Sequence, residues 1–394
     1  MGWQLFCKEL KYHFKTMTYY IFIAVVILFY FSQMELPKSI NDIKPMSKEQ
    51  VEEDENKLPE EQRAYRRAMM ENSYGRKPMT DIKMKQKAMY NYMENELKSK
   101  IANVYKFAFL KKVKLSDKQV NAFKEAMDKI SPEKQISDEE FDKALEQLDK
   151  ALGGGSRYNE QYRESILSIN ITYEEAMENY NVILKEDKLT NAEGRVFADY
   201  MGITAGLFPI FIAAFILIRD MKSGAQEIIF SKKISSLKYV LTKYLAAIVA
   251  FIIPYIITAS HATLKYSMLA AKGNISIDYF AFYKYTLMWV VPTLMFVTAL
   301  GMVFAVLFKK PIAAIIVQFL LWCTSISSLH GSYGISKYII RFNSSVPNTE
   351  YMKWAKTIYI NRGFYVVLSA AIIFITVLIY NRRRGSVGEK LSIL

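Results

Sequence analysis

The sequence predicts an all-α membrane protein: six transmembrane helices, an N-terminal interfacial helix, and a mostly helical extracellular domain inserted between the first and second spans. Three observations carry this. Six stretches contain no Asp, Glu, Lys or Arg: 16–34, 200–218, 244–264, 285–308, 311–336 and 363–381. A hydrocarbon core about 30 Å thick needs roughly 20 such residues in a helix. The stretch 37–199 holds no such run. Positive charge is also unevenly placed. Residues 37–198 hold 29 Lys and Arg against 30 Asp and Glu, leaving 23 of the 52 basic and 8 of the 38 acidic residues for the rest. The basic surplus therefore lies beside the apolar runs, as retention of Lys and Arg on the cytoplasmic side requires. A nucleic-acid binder would gather it on one face or domain. The mean hydropathy of +0.05 averages a greasy part with a polar one.

The elements follow in chain order. In residues 1–15, Trp3, Phe6, Leu10 and Phe14 recur at helical spacing, within about 80° of arc, and Lys8, Lys11 and Lys15 fall on the opposite side. That segregation predicts a helix lying in the inner interface, apolar face toward lipid. Residues 16–36 form the first span. The run is longer than a signal-peptide core and ends Ser32-Gln33-Met34-Glu35, without a small-x-small cleavage site, so it reads as a retained anchor. The three preceding lysines place the N-terminus inside.

Alternation then orients the rest. Residues 37–198 fall outside, followed by a multi-span core over 199–394. Its spans are 200–218, 244–264, 285–308, 311–329 (trimmed from the long run) and 363–381. Loop 219–243, with Arg219, Lys222, Lys232, Lys233, Lys238 and Lys243, falls inside, as do Lys309-Lys310 and Arg382-Arg383-Arg384. Loops 265–284 and 330–362 fall outside, the second mildly basic against the rule.

The outer domain reads as helical. Ala122, Phe123, Ala126, Met127 and Ile130 share one stripe, and Phe141, Leu145, Leu148 and Leu152 another. Gly153-Gly154-Gly155 stops the second helix. Between them, Lys129–Glu140 imitates a calcium loop with Glu140 at position twelve. Lys129 at position one and Lys134 at position six defeat it, because a cation there repels calcium. A plain helix-loop-helix is expected.

No phosphate-binding GxxxxGK[ST], HExxH or GxSxG occurs, so no catalytic residue is assigned and the chain does not hydrolyse nucleotide by itself. Cys7 and Cys323 fall in different environments, and His13, His261 and His330 are scattered, so neither a disulfide nor a metal site is expected. No carboxylate interrupts any apolar run. Ion-coupled carriers usually need one there, so the energy is expected from outside the chain.

The informative segment is 219–246, RDMKSGAQEIIFSKKISSLKYVLTKYLA. It resembles the cytoplasmic loop of ABC-2 type permeases, whose pattern reads R-[DE]-x-x-x-G-x-x-E-L-L-x-S-x-P-I-S, later closing on K-[FYL]-L-A. Gly224, Glu227, Ser231, Ile234, Ser235 and Lys243-Tyr-Leu-Ala match, while Lys233 replaces the usual proline. Residues 189–202, LTNAEGRVFADYMG, look like a subgroup with a large extracellular domain between spans 1 and 2. Asn361-Arg362-Gly363-Phe364-Tyr365 looks like that family's Asn-Arg-x-x-[FYW] element. The resemblance implies a coupling site for an ATPase at Gly224, Glu227, Ile228, Phe230, Ser231, Ile234 and Ser235. Ile228 and Phe230 would serve as apolar anchors there. It also implies a second permease, identical or not, and ATP and Mg held by the partner ATPase with no cofactor in this chain. The expected location is the bilayer of a bacterial cell membrane, with both termini cytoplasmic. The leading expectation is a permease exporting an amphipathic or peptide-like compound, for example an antimicrobial. The alternative is a non-transporting mechanotransmission subunit that drives an envelope partner through its extracellular domain.

Overall fold

The apolar residues of this chain gather into separate bodies. A computed structural model describes residues 2–63, 74–106, 109–222, 234–326, 333–342 and 344–391. They divide into one unit formed by Met1–Ile43 with Val182–Leu394, and a second formed by Lys44–Asn181. The second unit lies inside the expected 37–198 boundaries; residues 182–198 pack with the membrane helices instead.

The first unit opens with α1, Gly2–His13, which bends by 68° into α2, Met17–Gln33. Trp3 is 74% exposed and stacks on Phe6, while the opposite side, Leu5, Glu9 and His13, turns inward. Of the expected stripe, Trp3 and Phe14 are exposed and Phe6 is half-buried, as a lipid-facing side needs, whereas Leu10 packs against the core.

In the second unit, α3 is Lys48–Asn56 and β1 is Arg76–Pro78. Helix α4, Ile82–Ser99, is capped by Asp81 and ends at Lys100 in the left-handed region. Strands β2, Ile101–Lys106, and β3, Phe109–Lys114, pair antiparallel. Helices α5, Asp117–Lys129, and α6, Asp138–Ala151, follow. The short α7, Glu160–Arg163, leads to β4, Ser168–Asn170, which pairs with β1. Helix α8, Tyr173–Val182, closes the unit. Its core joins Met89 and Met93 to both predicted stripes, Phe123/Ala126/Met127/Ile130 and Phe141/Leu145/Leu148/Leu152. The expectation of an all-α protein is corrected here by two small antiparallel sheets. In β2 only Ala102 and Val104 are buried, and β3 is dominated by lysine, so neither strand carries a strong apolar alternation. Glu140, the would-be calcium ligand, instead forms a capping box with Ser137 at the start of α6.

The first unit resumes with a π-helical turn at Ile183–Asp187, then α9, Thr190–Leu207, α10, Ile210–Ala213, and α11, Ile218–Lys222. Together they make one apolar rod, Thr190–Asp220. Helix α12 runs from Ser236 to Gly273. Helix α13, Ala281–Tyr285, continues through a π-helical turn into α14, Val291–Phe308. Helix α15 is Ile312–Ile326 and α16 is Asn348–Leu391. Gly301 of α14 lets the rods touch, since a Cβ there would lie 2.8 Å from Ala213 Cβ.

Four helices are long and apolar enough to span: Thr190–Asp220, Ser236–Gly273, Ala281–Phe308 and Asn348–Arg384. The bent pair α1–α2 makes up to five. The six expected spans are therefore not all matched by a full-length helix. With 15 residues, α15 rises only about 22 Å. The long helices also overrun the charge-free runs. Glu193, Arg195 and Asp199 sit on α9, Lys243 on α12 and Arg362 on α16. The charge-free runs mark the apolar middles of these rods, while their ends carry buried ionic groups.

Candidate functional site

Residues flanking the segment 223–233 converge where three helices begin or end. Glu9 of α1, Arg219 and Asp220 at the end of the Thr190–Asp220 rod, and Lys243 in the second turn of α12 form one ionic knot. Arg219 Nη2 donates to both Glu9 oxygens, at 3.0 and 2.8 Å. Lys243 Nζ lies 2.8 Å from Glu9 Oε1 and 2.8 Å from Asp220 Oδ2. Arg219 Nε reaches Asp220 Oδ1 at 3.2 Å. The Tyr239 hydroxyl also donates to Asp220. Two acids and two bases leave the knot neutral, with every charge in contact with an opposite one. The low-dielectric cost of burying Lys243, 1% exposed, is offset only because both carboxylates reach it.

Aromatic rings seal the knot. The Arg219 guanidinium lies 3.7 Å from the Tyr12 ring centroid, a cation–π distance. Tyr239 stacks on Tyr380 of α16 at 5.3 Å. Alongside, Ser236 Oγ donates to Asn381 Oδ1 at 2.9 Å, and Arg384 donates to the Ile234 carbonyl. Ser235 caps α12 by accepting from Lys238 N. The knot thus fixes α1, the Arg219 end, the Ser236 end and the chain's last helix to one another.

Of the predicted coupling residues, Gly224, Glu227, Ile228, Phe230 and Ser231 lie outside the described residues. Ile234 and Ser235 lie within them, the first packed against the core and the second serving as the cap. Arg219, Asp220 and Lys243 sit in the 219–246 segment that carries the resemblance, and the structure brings them together. Glu9 was missed. It is the only acidic residue among the first 34, set in a helix with three nearby lysines, and that isolation was the available signal.

A second polar cluster sits at the opposite ends of the same rods. Asn361 Nδ2 donates to the Gly334 and Lys337 carbonyls, each at 2.7 Å. Arg362 donates to Trp289 O, Thr293 Oγ1 and Tyr338 O, each at 3.0 Å. Asp199 accepts from Phe342 N at 2.6 Å and pairs with Arg341. Arg195 pairs with Asp187 and donates to Val346 O at 2.7 Å. The Asn-Arg element and the 189–202 segment, quoted separately from sequence, thus meet across residues 333–346 and clamp that non-helical stretch over the rods. Such backbone needs internal partners at membrane depth.

Among the described residues no group of His, Cys, Asp and Glu is placed to hold a metal ion. No curated protein and no solved structure matches the chain. A family model described as ABC-2 family transporter protein matches residues 14–381. That match takes in the second cluster, the rods, and Arg219, Asp220 and Lys243 of the first, while Glu9 lies before it, and the chain belongs to the ABC-2 family of transporter proteins.

Proposed function

We propose that the chain is the permease subunit of an ATP-driven exporter that moves an amphipathic or peptide-like compound out of the cell. ABC-2 permeases are the membrane component of ABC systems, are not themselves catalytic and generally work with an ABC ATPase. In this reading the ATPase seats on loop 219–243. Its motion enters the bilayer through the ionic knot, the single observation that carries the proposal: Glu9, Arg219, Asp220 and Lys243 bind both ends of that loop to α1. A push on the loop is then delivered to three helices at once. ATP and Mg belong to the partner, and a second permease completes the path. In this reading α15 is the fifth of six spans, both termini are cytoplasmic, and residues 44–181 lie outside.

A second reading is favoured by the separate core of Lys44–Asn181. An independent body between two spans suits a subunit that transmits motion to an envelope partner. Deleting 44–181 and joining the ends with a short linker discriminates. ATP-dependent efflux from inverted vesicles that survives the deletion supports the exporter. An exporter-independent envelope phenotype lost on deletion, with no efflux from the intact complex, supports mechanotransmission.

A further inference from the structure

The β2–β3 hairpin carries a charge pattern that neither reading uses. Residues 97–116 hold six lysines and no Asp or Glu, inside a unit whose residues 44–181 balance to a net charge of −1. Lys98 pairs with Glu94, but Lys100, Lys106, Lys111, Lys112 and Lys114 are exposed and make no ion pair with any described residue. The register opposes Ile101 to Lys114, Asn103 to Lys112 and Tyr105 to Leu110. Cross-strand partners project to the same face of a hairpin. Ala102 and Val104 point into the core, so the face turned away from it presents Lys112, Lys114 and the 49% exposed Leu110. Arg157, 5.2 Å from the Tyr105 ring centroid, adds a further cation beside it. One or two charges suffice to protect an edge strand from pairing; five exposed lysines over one short hairpin, Lys112 and Lys114 among them on the face of the exposed leucine, exceed that need.

We propose that this hairpin is a docking surface for anionic phospholipid headgroups. The chain joins the unit at both ends to the unit that holds the apolar rods, so the protein carries the hairpin on the same molecule as its spans. Charge complementarity selects the anionic lipids of a bilayer surface, and Leu110 supplies an apolar contact at the headgroup boundary. Each cation near an anionic surface strengthens binding by about fivefold, and salt weakens the interaction over a Debye length of about 10 Å at 0.1 M.

The test uses the full chain in nanodiscs, with Cys7→Ser and Cys323→Ser and a polarity-sensitive fluorophore on Leu110→Cys. A blue-shifted emission in discs containing phosphatidylglycerol, absent in pure phosphatidylcholine and reversed by 0.5 M salt, is expected. Lys112→Glu with Lys114→Glu should abolish the shift. Equal emission in both lipids, or a shift that survives the double reversal, overturns the proposal. So does the same shift produced in phosphatidylcholine discs by soluble glycerol phosphate, which would make the hairpin a solution anion site.

Discussion

Glu9 is the residue on which the membrane unit's base turns. It satisfies Arg219 and the buried Lys243 together, so its removal strands a cation that water cannot reach. Breaking a buried pair from one side costs about 3–5 kcal/mol. Glu9→Leu is therefore expected to lower the thermal midpoint in detergent by several degrees. Adding Lys243→Met should restore much of the loss, because the remaining Arg219–Asp220 pair is still neutral. If Glu9→Leu melts like the parent protein, the knot is not structural. At this scale the sequence was half legible. Arg219, Asp220 and Lys243 sat in a recognisable segment, whereas Glu9 is some 210 residues away and contact across that distance leaves no local pattern.

At the scale of elements, helices with segregated stripes and glycine stops were legible, and α5 and α6 lie where Phe123 to Ile130 and Phe141 to Leu152 placed them. The hairpin was not, since its pairing depends on Gly155 and the α4 end more than on its own alternation. Gly155 has φ of +76°, and a Cβ there would sit 2.4 Å from the Tyr105 carbonyl oxygen, which no side chain can tolerate without moving β2. Gly153 has φ of +91° with open space around it. Gly153→Ala should cost about 1–2 kcal/mol of backbone strain. Gly155→Ala should cost clearly more, read as the difference in urea midpoints; equal costs would refute the close approach.

The same unit should unfold at both ends of the pH scale. Burial and the adjacent Glu96 charge push the Tyr158 hydroxyl up, and burial takes Tyr92 up to about 12. Both need their protons when folded, so their stabilisation is intact below about pH 10 and is lost as pH rises from there toward their raised values. Hydrogen bonds from Ser137 hold Glu140 below the usual range, and Lys77 with the Thr172 backbone does the same for Glu175. Their contribution is present above about pH 4.5 and is lost as pH falls. Melting followed by far-UV circular dichroism at pH 4, 7 and 11 should show the highest midpoint at 7. A midpoint that climbs monotonically in either direction would contradict these assignments.

For the whole molecule, apolar run length located the rods but not their ends. Charges at helix ends survive in this structure by pairing with one another, as Asp199 does with Arg341 and Asp187 with Arg195, so a charge does not terminate a helix. Helix α15 shows the opposite failure, a 26-residue charge-free run of which only Ile312–Ile326 is helix among the described residues. The six-span topology with both ends inside predicts how single cysteines behave in intact cells. In a background with Cys7 and Cys323 replaced, an impermeant thiol reagent should label Ser99→Cys, which is exposed, and should label Ser235→Cys or Ser386→Cys only after permeabilisation. Labelling of either of the last two in intact cells reverses the orientation.

The central claim is that loop 219–243 is where an ATPase takes hold of this permease. On the proposed reading its decisive residues would be Glu227, whose reversal would place a cation at a desolvated contact, and Phe230, which would serve as an apolar anchor worth about 2 kcal/mol or more of binding. Arg383, half-buried near the end of α16 and donating to the Leu307 carbonyl at 3.1 Å, serves as the control. The most direct measurement is recovery of the ATPase subunit through a tagged permease, with membrane levels measured alongside. The account predicts normal membrane levels for Glu227→Arg, Phe230→Ala and Arg383→Ala, with ATPase recovery falling at least tenfold for the first two and little for the third. Full ATPase recovery and full transport from both loop variants would contradict it.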